Sequence, residues 1–345
     1  MEKKKKHILL KAFLIICVVL VLVVAGVGGY IWSKLSLIDY NDGVVNYTAP
    51  TGDAVAVFGG DDQIVTDDQM QGLQETPTEP KIPETEIQKE DEVLNILLIG
   101  TDERTKNFST NARSDSMILV SINKSTKTVK LVSLERGMGV PVLDGPYAGQ
   151  WDWLTHIFAY GGADMLMRTV EECFRVEVDR YVRVNFTTVT TVIDAIGGID
   201  LELSPAEAHF YNTTLFSPKK VGMNHLNGED ALMFARLRAI DSDWQRVERQ
   251  RKVIVAVTQK LKNAGLAELN DLANQVLPLI QTNFTKEEIL KLMLYAPDFM
   301  KSSFHQMTLP KQGTYGFRTG MEGREYFAAD FDENSKILKE FLYGK

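Results

Sequence analysis

Cysteine is almost absent: Cys17 and Cys173 are the only two in 345 residues. Cys17 lies inside an apolar run, so the rest of the chain has a single thiol and cannot form an internal disulfide. That excludes a disulfide-stapled scaffold. Also missing are a glycine-rich P-loop, a Cys-pair zinc motif and a His pair at helical metal spacing. His156, His209, His225 and His305 are scattered and read as structural rather than as ligands. No internal repeat is present. A basic excess is lacking too: the formal net charge is −8, which argues against a nucleic-acid binder. With 44% hydrophobic and 24% charged residues, disorder of the whole chain is excluded.

The charge that is present is unevenly placed. Residues 1–38 carry net +5, residues 39–92 net −12 and residues 93–345 net −1. Lys3 to Lys6 precede an uncharged stretch, Ala12–Trp32, that ends in Tyr30 and Trp32. At 1.5 Å per residue such a stretch makes a helix of roughly 31 Å, long enough to cross a hydrocarbon core. Cationic flanks stay in the cytoplasm, and aromatic residues favour the far interface. Residues 1–11 therefore read as a cytoplasmic tail and 12–32 as a single-pass transmembrane anchor, with everything beyond outside the cytoplasm. A cleavable signal peptide is the alternative, but its apolar core usually spans only ~7–15 residues. Residues 33–92, with Asp61-Asp62, Asp67-Asp68 and Thr76-Pro77-Thr78-Glu79-Pro80, read as an acidic extracellular linker.

A globular domain is expected over 93–345. Asn95–Gly100 is a short apolar run ending in glycine, as in a buried strand, and Met117–Ile122 and Val129–Leu134 follow as two more. Tyr181–Val184 is a fourth. Helices are expected over Ala163–Phe174 and Thr187–Ile196, the latter closed by Gly197. Others start near Asn227, at Ser242 (with Gln245 completing a capping box), at Ala267 and at Lys286. Alternating strands and helices give an α/β domain with a mixed central sheet flanked by helices.

The polar residues that stand out are arginines beside aspartates. Asp102 and Arg104 follow the first strand, Arg113 and Asp115 precede the second, and Arg136 ends the third. Arg236 and Arg238 end the Asn227 helix, with Asp241 and Asp243 after them; Arg246, Arg249 and Gln250 share one helical face. Loops at strand ends are where open α/β sheets place their sites. Guanidinium forks suit phosphate oxygens, and paired carboxylates suit a hard divalent ion. The pattern points to a diphosphate with magnesium or manganese. Ordinary surface ion pairing accounts for the same spacing, and spacing alone does not choose between them.

These residues lie in segments that resemble the LytR–CpsA–Psr family of Gram-positive bacteria. The matching pieces are Asn95–Arg104, Arg113–Val120, the Ala159-Tyr160-Gly161-Gly162 turn, Val192–Ile199, His225–Leu232, Arg236-Leu237-Arg238, Arg246–Arg251 and the final Leu338–Gly344. Glu135-Arg136-Gly137 stands where family members usually carry Pro-Arg-Asp, and Trp151-Asp152-Trp153-Leu154 where a lysine often precedes the turn. Aromatics in that loop suit either an acceptor platform or packing.

The resemblance implies a metal-dependent transferase. It would move an anionic glycopolymer, such as teichoic acid or capsule, from a polyprenyl diphosphate carrier to peptidoglycan, with possible carrier hydrolysis. Carried over by position, Asp102 and Asp115 would hold Mg²⁺ (or Mn²⁺). Arg113, Arg136, Arg236, Arg238, Arg246, Arg249 and Gln250 would bind the diphosphate. Arg113, Asp115, Arg136 and Arg238 would be catalytic. The polyprenyl tail would lie in an apolar cleft between sheet and helices. The implied partners are the lipid-linked polymer, a peptidoglycan acceptor and the cell membrane, with no nucleic acid. Two competing readings are a non-catalytic binder of lipid-linked wall polymer and a membrane-tethered envelope regulator.

Overall fold

The computed structural model of the chain describes residues 28–44, 73, 75, 79–103, 108–109, 112–262, 265–299, 302, 304–320 and 323–344. Most of the apolar run, the Asp61-Asp62 and Asp67-Asp68 pairs and Arg104 lie outside the described residues. No helix of the described residues is long and apolar enough to cross a membrane.

The strands are β1 (Asp39–Tyr40), β2 (Val93–Thr101), β3 (Ser114–Asn123), β4 (Thr128–Leu134), β5 (Gly139–Pro141), β6 (Trp151–Trp153), β7 (Arg180–Asn185), β8 (Ile199–Leu203), β9 (Gly222–Leu226), β10 (Gln281–Thr282), β11 (Phe304–Leu309), β12 (Tyr315–Thr319) and β13 (Glu325–Ala329). The helices are α1 (28–35), α2 (Leu154–Phe174), α3 (Phe186–Ala195), α4 (Pro205–Thr213), α5 (Gly228–Arg236), α6 (Asp243–Leu261), α7 (Leu266–Val276), α8 (Lys286–Phe299) and α9 (Phe331–Tyr343).

Seven strands form one sheet in the order β1-β10-β7-β2-β3-β4-β11. β2 and β7 are parallel, β2–β3 and β3–β4 antiparallel, and β4 and β11 parallel, so the sheet is mixed as expected. Side chains alternate across a strand. On one face Leu97, Ile99, Leu119 and Val132 join α2 and α9 in the largest core cluster. On the other, Ile96 and Ile122 pack with α8, while Ile118 and Leu131 face Ile254 of α6. A satellite core gathers α3, α4, α5 and the β8–β9 hairpin around Phe234 and Tyr211.

Local chemistry sets the element ends. Asn227 caps α5 by accepting from the Asp230 N–H, and Asn185 caps α3 reciprocally with Thr188. Gly228 opens α5 so tightly against α3 that an added Cβ would lie 2.4 Å from the Thr190 carbonyl oxygen.

The helix expected over Ala163–Phe174 is the second arm of α2; a first arm from Leu154 precedes it, and the two meet at a kink where Gly161 and Gly162 are non-helical, Gly162 with φ 70°. Two expectations need correction. Ser242 caps α6 without its side chain: the Gln245 N–H bonds to the Ser242 carbonyl, 3.1 Å, so no capping box forms. The linker expected over 33–92 is not all linker. β1 pairs in parallel with β10, Leu35 and Ile38 are buried, and residues 79–92 lie against the domain through the Gln88–Val176 bridge. A two-residue strand carries no periodicity to read, and only β10 gives it a place.

Two buried aliphatic side chains contribute about 1.5–3 kcal/mol each. A fragment starting at residue 79, lacking Leu35, Ile38 and β1, is expected to be about 3–6 kcal/mol less stable than one starting at 28. Urea unfolding midpoints of the two fragments check this.

Candidate functional site

The site lies where β2 ends and β3 begins. The β2–β3 register shifts at Gly100 and Thr101, and Asp102 follows immediately. Its carboxylate accepts from the Arg113 backbone N–H at 3.2 Å and faces the Arg113 guanidinium at 3.6 Å. Asp115, on β3, receives an ion pair from Arg136 at 2.9 Å. Arg136 sits just past β4 and is only 3% exposed. Arg246 reaches across from α6, donating to the Asp115 backbone carbonyl at 3.1 Å. One turn on, Gln250 accepts from Ser116 Oγ at 2.9 Å. Sheet end and α6 are thus joined through adjacent β3 residues.

Electrostatics follow from this packing. Burial pushes the Asp115 carboxyl up, but the charges of Arg136, Arg246, Arg238 and Arg113 outweigh it and hold the group below the usual aspartate range. Asp102 is shifted up, first by burial and then by the charge of Asp115. Two carboxylates near enough to repel form a pair that a divalent cation would relieve. Among the described residues no group of three or more His, Cys, Asp and Glu could cage a metal. Magnesium, however, commonly takes one or two carboxylates and completes its shell with substrate phosphates and water. Asp102 and Asp115 fit that use.

Behind the charged group opens a cleft of about 410 Å³. Its floor is sheet, Leu98 and Val184; its walls are Phe186 and Val189 of α3, Phe210 of α4, Leu232 of α5, and Val253 and Ile254 of α6. Asp115, Arg236, Arg238, Arg246 and Gln250 line it as well. Arg236 is exposed, its guanidinium 4.4 Å from the centre of the Phe186 ring. The apolar cleft expected between sheet and helices is therefore present, with polar groups converging on it.

Arg249 is the exception among the expected site residues. It is 3% exposed in its side chain and turned away from the cleft. Nε donates to Glu207 at 2.7 Å, Nη1 to the Leu237 carbonyl at 2.6 Å, and Nη2 to Asp241. Its fork is committed to tying α4 and the loop after α5 onto α6. The expectation that it binds diphosphate is corrected: Arg249 is offset from Arg246 by a net rotation of about 60° around the helix, on the side where Glu207, Leu237 and Asp241 take up its fork.

Sequence reasoning missed a second buried polar group. Asp152 Oδ2 meets His156 Nδ1 at 2.9 Å and accepts from the Tyr160 hydroxyl at 2.5 Å. The i, i+4, i+8 spacing was available as a signal. Trp151 and Trp153 are buried, Trp153 donating from Nε1 to the Glu325 carbonyl at 2.8 Å, so these aromatics pack rather than offer a platform. Gly137 accepts from the Phe327 N–H at 3.0 Å and thereby docks the β12–β13 hairpin beside Arg136.

Two variants separate the arginine roles. Arg249→Met strands buried Glu207 and is expected to cost about 3–5 kcal/mol, the usual cost of breaking a buried pair. Arg238→Ala, partly exposed on the cleft, is expected to change stability by less than about 1 kcal/mol. Chemical denaturation of each reads the difference. The depressed Asp115 carboxyl adds stability that is present above about pH 4, the unfolded value, and is lost as pH falls through the folded one. Asp115→Asn is therefore expected to flatten the acid limb of a thermal-midpoint titration.

A model of the LytR_cpsA_psr family matches residues 62–341. The polyisoprenyl-teichoic acid–peptidoglycan teichoic acid transferase TagU of Bacillus cereus is 31% identical over 229 residues, 64% of this chain and 70% of that protein. TagU of Enterococcus faecalis is 30% identical over 257 residues, 72% of this chain and 78% of that protein. Among solved structures, protein gbs0355 of Streptococcus agalactiae superposes with a TM-score of 0.61 at 27% identity, over 73% of this chain and 88% of that one. TagT bound to LI-WTA gives 0.58 at 28% identity, over 73% and 91%. The family match over most of the chain, on a fold these solved relatives share, establishes that this protein belongs to the LytR_cpsA_psr family.

Proposed function

We propose that this chain is a membrane-anchored phosphotransferase that moves an anionic glycopolymer from a polyprenyl diphosphate carrier to peptidoglycan. The observation that carries the reading is the juxtaposition of an apolar cleft with a surplus of guanidinium groups over carboxylates at its head. An amphiphile with a long apolar tail and a doubly anionic head fits that pairing. The names of the relatives, teichoic acid transferases, and the TagT structure bound to LI-WTA support the same substrate class. The polymer here is a teichoic acid, a capsule or a similar anionic chain.

The residues divide the work by position. Arg236, Arg238, Arg246 and Gln250 line the cleft and hold the diphosphate against the tail pocket. Arg113 and Arg136 approach from the strand ends and neutralise charge on the transferred phosphoryl group. Asp102 and Asp115 would hold Mg²⁺ or Mn²⁺, which when bound supplies further charge neutralisation and polarises the phosphoryl oxygens. An acceptor hydroxyl oxygen forms a bond to the polymer-side phosphorus. The bond to the bridging oxygen breaks, polyprenyl phosphate departs, and the hydroxyl proton is released. Preorganised cations aimed at developing negative charge are the main source of acceleration in such transfers. The diphosphate supplies the driving force, so no nucleotide is needed outside the cell. The domain then works on the outer side of the cell membrane, carried by the span over 12–32 with its N-terminus in the cytoplasm.

A non-catalytic binder is the second reading, favoured by Gly137, which brings no side chain beside Arg136. One assay separates the two. The fragment from residue 28 is incubated with a short-chain polyprenyl diphosphate donor and Mg²⁺, Mn²⁺ or EDTA, and polyprenyl monophosphate is followed. Release is expected with metal, with a fall of about 10²-fold or more in Asp115→Ala and Arg238→Ala, the usual loss when a charge-stabilising group is removed. Donor binding without release under either metal would establish the binder.

A further inference from the structure

The chain that leads into the domain is clamped to it, not strung from it. In α1, Tyr30 Oη donates to Asn270 Oδ1 of α7, and Lys34 Nζ donates to Asn274, one turn further along. Positions 30 and 34 meet 270 and 274 in the same order, so α1 and α7 run side by side in one direction. Lys286 reaches back from the first residue of α8. Its Nζ donates to Ser36 Oγ at 2.6 Å and lies 5.1 Å from the centre of the Trp32 ring and 5.8 Å from that of Tyr40. Buried Leu35 and Ile38 follow, and β1 then joins the sheet.

The uncharged run Ala12–Trp32 overlaps the first turn of α1. Tyr30 and Trp32 are 49% and 43% exposed, large aromatic rings held on the surface of a folded unit. Tyr and Trp at the end of an apolar span favour the headgroup level of a bilayer. From Tyr30 to buried Leu35 the helix rises only about 7.5 Å.

We infer that α1 is the outer end of the membrane-spanning helix and that the first turns of α7, with Leu269 exposed, rest among the phospholipid headgroups. This deepens the membrane-anchored reading above and rests on it. The partner is a lipid surface, met at the level of Tyr30, Leu269 and Asn270; Lys34 and Lys286 lie a turn or more farther out, cations facing its anionic headgroups. The clamp also positions the cleft. Thr188 of α3 donates from Oγ1 to the Leu279 carbonyl just after α7, at 2.8 Å, and α3 carries Phe186 and Val189 of the cleft wall. One layer of helix therefore separates the clamp from the tail pocket.

The test uses the full chain in vesicles of phosphatidylglycerol and phosphatidylethanolamine. In a Cys17→Ser background the remaining Cys173 is buried in α2 and does not label. Leu269→Cys and Gln275→Cys, both exposed on α7, carry a nitrobenzoxadiazole label in turn, and headgroup spin-labelled lipid is the quencher. Quenching is expected to be severalfold stronger at 269 than at 275. A Gly-Ser spacer inserted between Val27 and Gly28 is expected to abolish the difference while leaving the melting temperature unchanged. Equal quenching at the two positions, with the chain still held by the vesicles, would overturn the clamp and leave the anchor standing. A chain that washes off the vesicles would overturn both. Loss of metal-dependent release in the unlabelled chain would instead strike the transferase reading, since the depth ratio is read without turnover.

Discussion

The partly buried carboxylate of Asp115, ringed by guanidinium groups, is the constraint on which this structure turns. Taking a carboxylate out of water costs several kcal/mol unless opposite charge and hydrogen bonds meet it. Here the charge comes from Arg136 past β4, Arg246 on α6, Arg238 after α5 and Arg113 before β3. Satisfying one side chain thus draws the strand ends and the α5–α6 region to a single point. The compensation overshoots: several cations surround few carboxylates, and the excess defines a place for an anionic ligand. Because the charged head and the apolar cleft share α5 and α6, the element that closes the core also shapes the pocket.

Helix α6 shows how one arginine-rich face is divided by rotation. Arg246 and Gln250 point to β3 and the cleft. Arg249, three residues from Arg246, is bonded to Glu207, Leu237 and Asp241 and locks α4 in place. Arg251 reaches along the sheet face that α6 covers to its β4–β11 edge, donating to Ser133 Oγ on β4 and Thr308 Oγ1 on β11, both at 2.7 Å. Arg249 and Arg251 are buried where scaffold oxygens meet their donors, as low-dielectric surroundings require. Chemistry and scaffold are written in the same residue type, and partner identity decides which is which.

Much of the central sheet was legible. The runs at 95–100, 117–122, 129–134 and 181–184 fall within β2, β3, β4 and β7, because a doubly covered strand must be apolar on both faces. Asn227 and Gly197 marked helix ends through chemistry that acts within a few residues. Asp102, Asp115, Arg136, Arg238, Arg246 and Gln250 were named from strand ends and helical spacing, and they converge. What escaped were features made by distant partners. β1 exists because β10 receives it, and the Asp152–His156–Tyr160 group is polar sequence buried by the β12–β13 hairpin and α2.

The sequence alone determined the class of fold, the order of its central strands, the uncharged run at the start and the supply of arginines and aspartates at strand ends. These are local or periodic properties, set by side-chain hydropathy and backbone propensity. Tertiary structure alone decided which arginines face the cleft, that Arg249 is a brace, that the loop tryptophans pack, and that residues 35–44 belong to the domain. Those outcomes depend on contacts between separate elements, 42 positions apart for Arg249 and Glu207 and 172 for Trp153 and Glu325. A guanidinium or an indole has no preferred role until burial sets its cost and a partner offsets it.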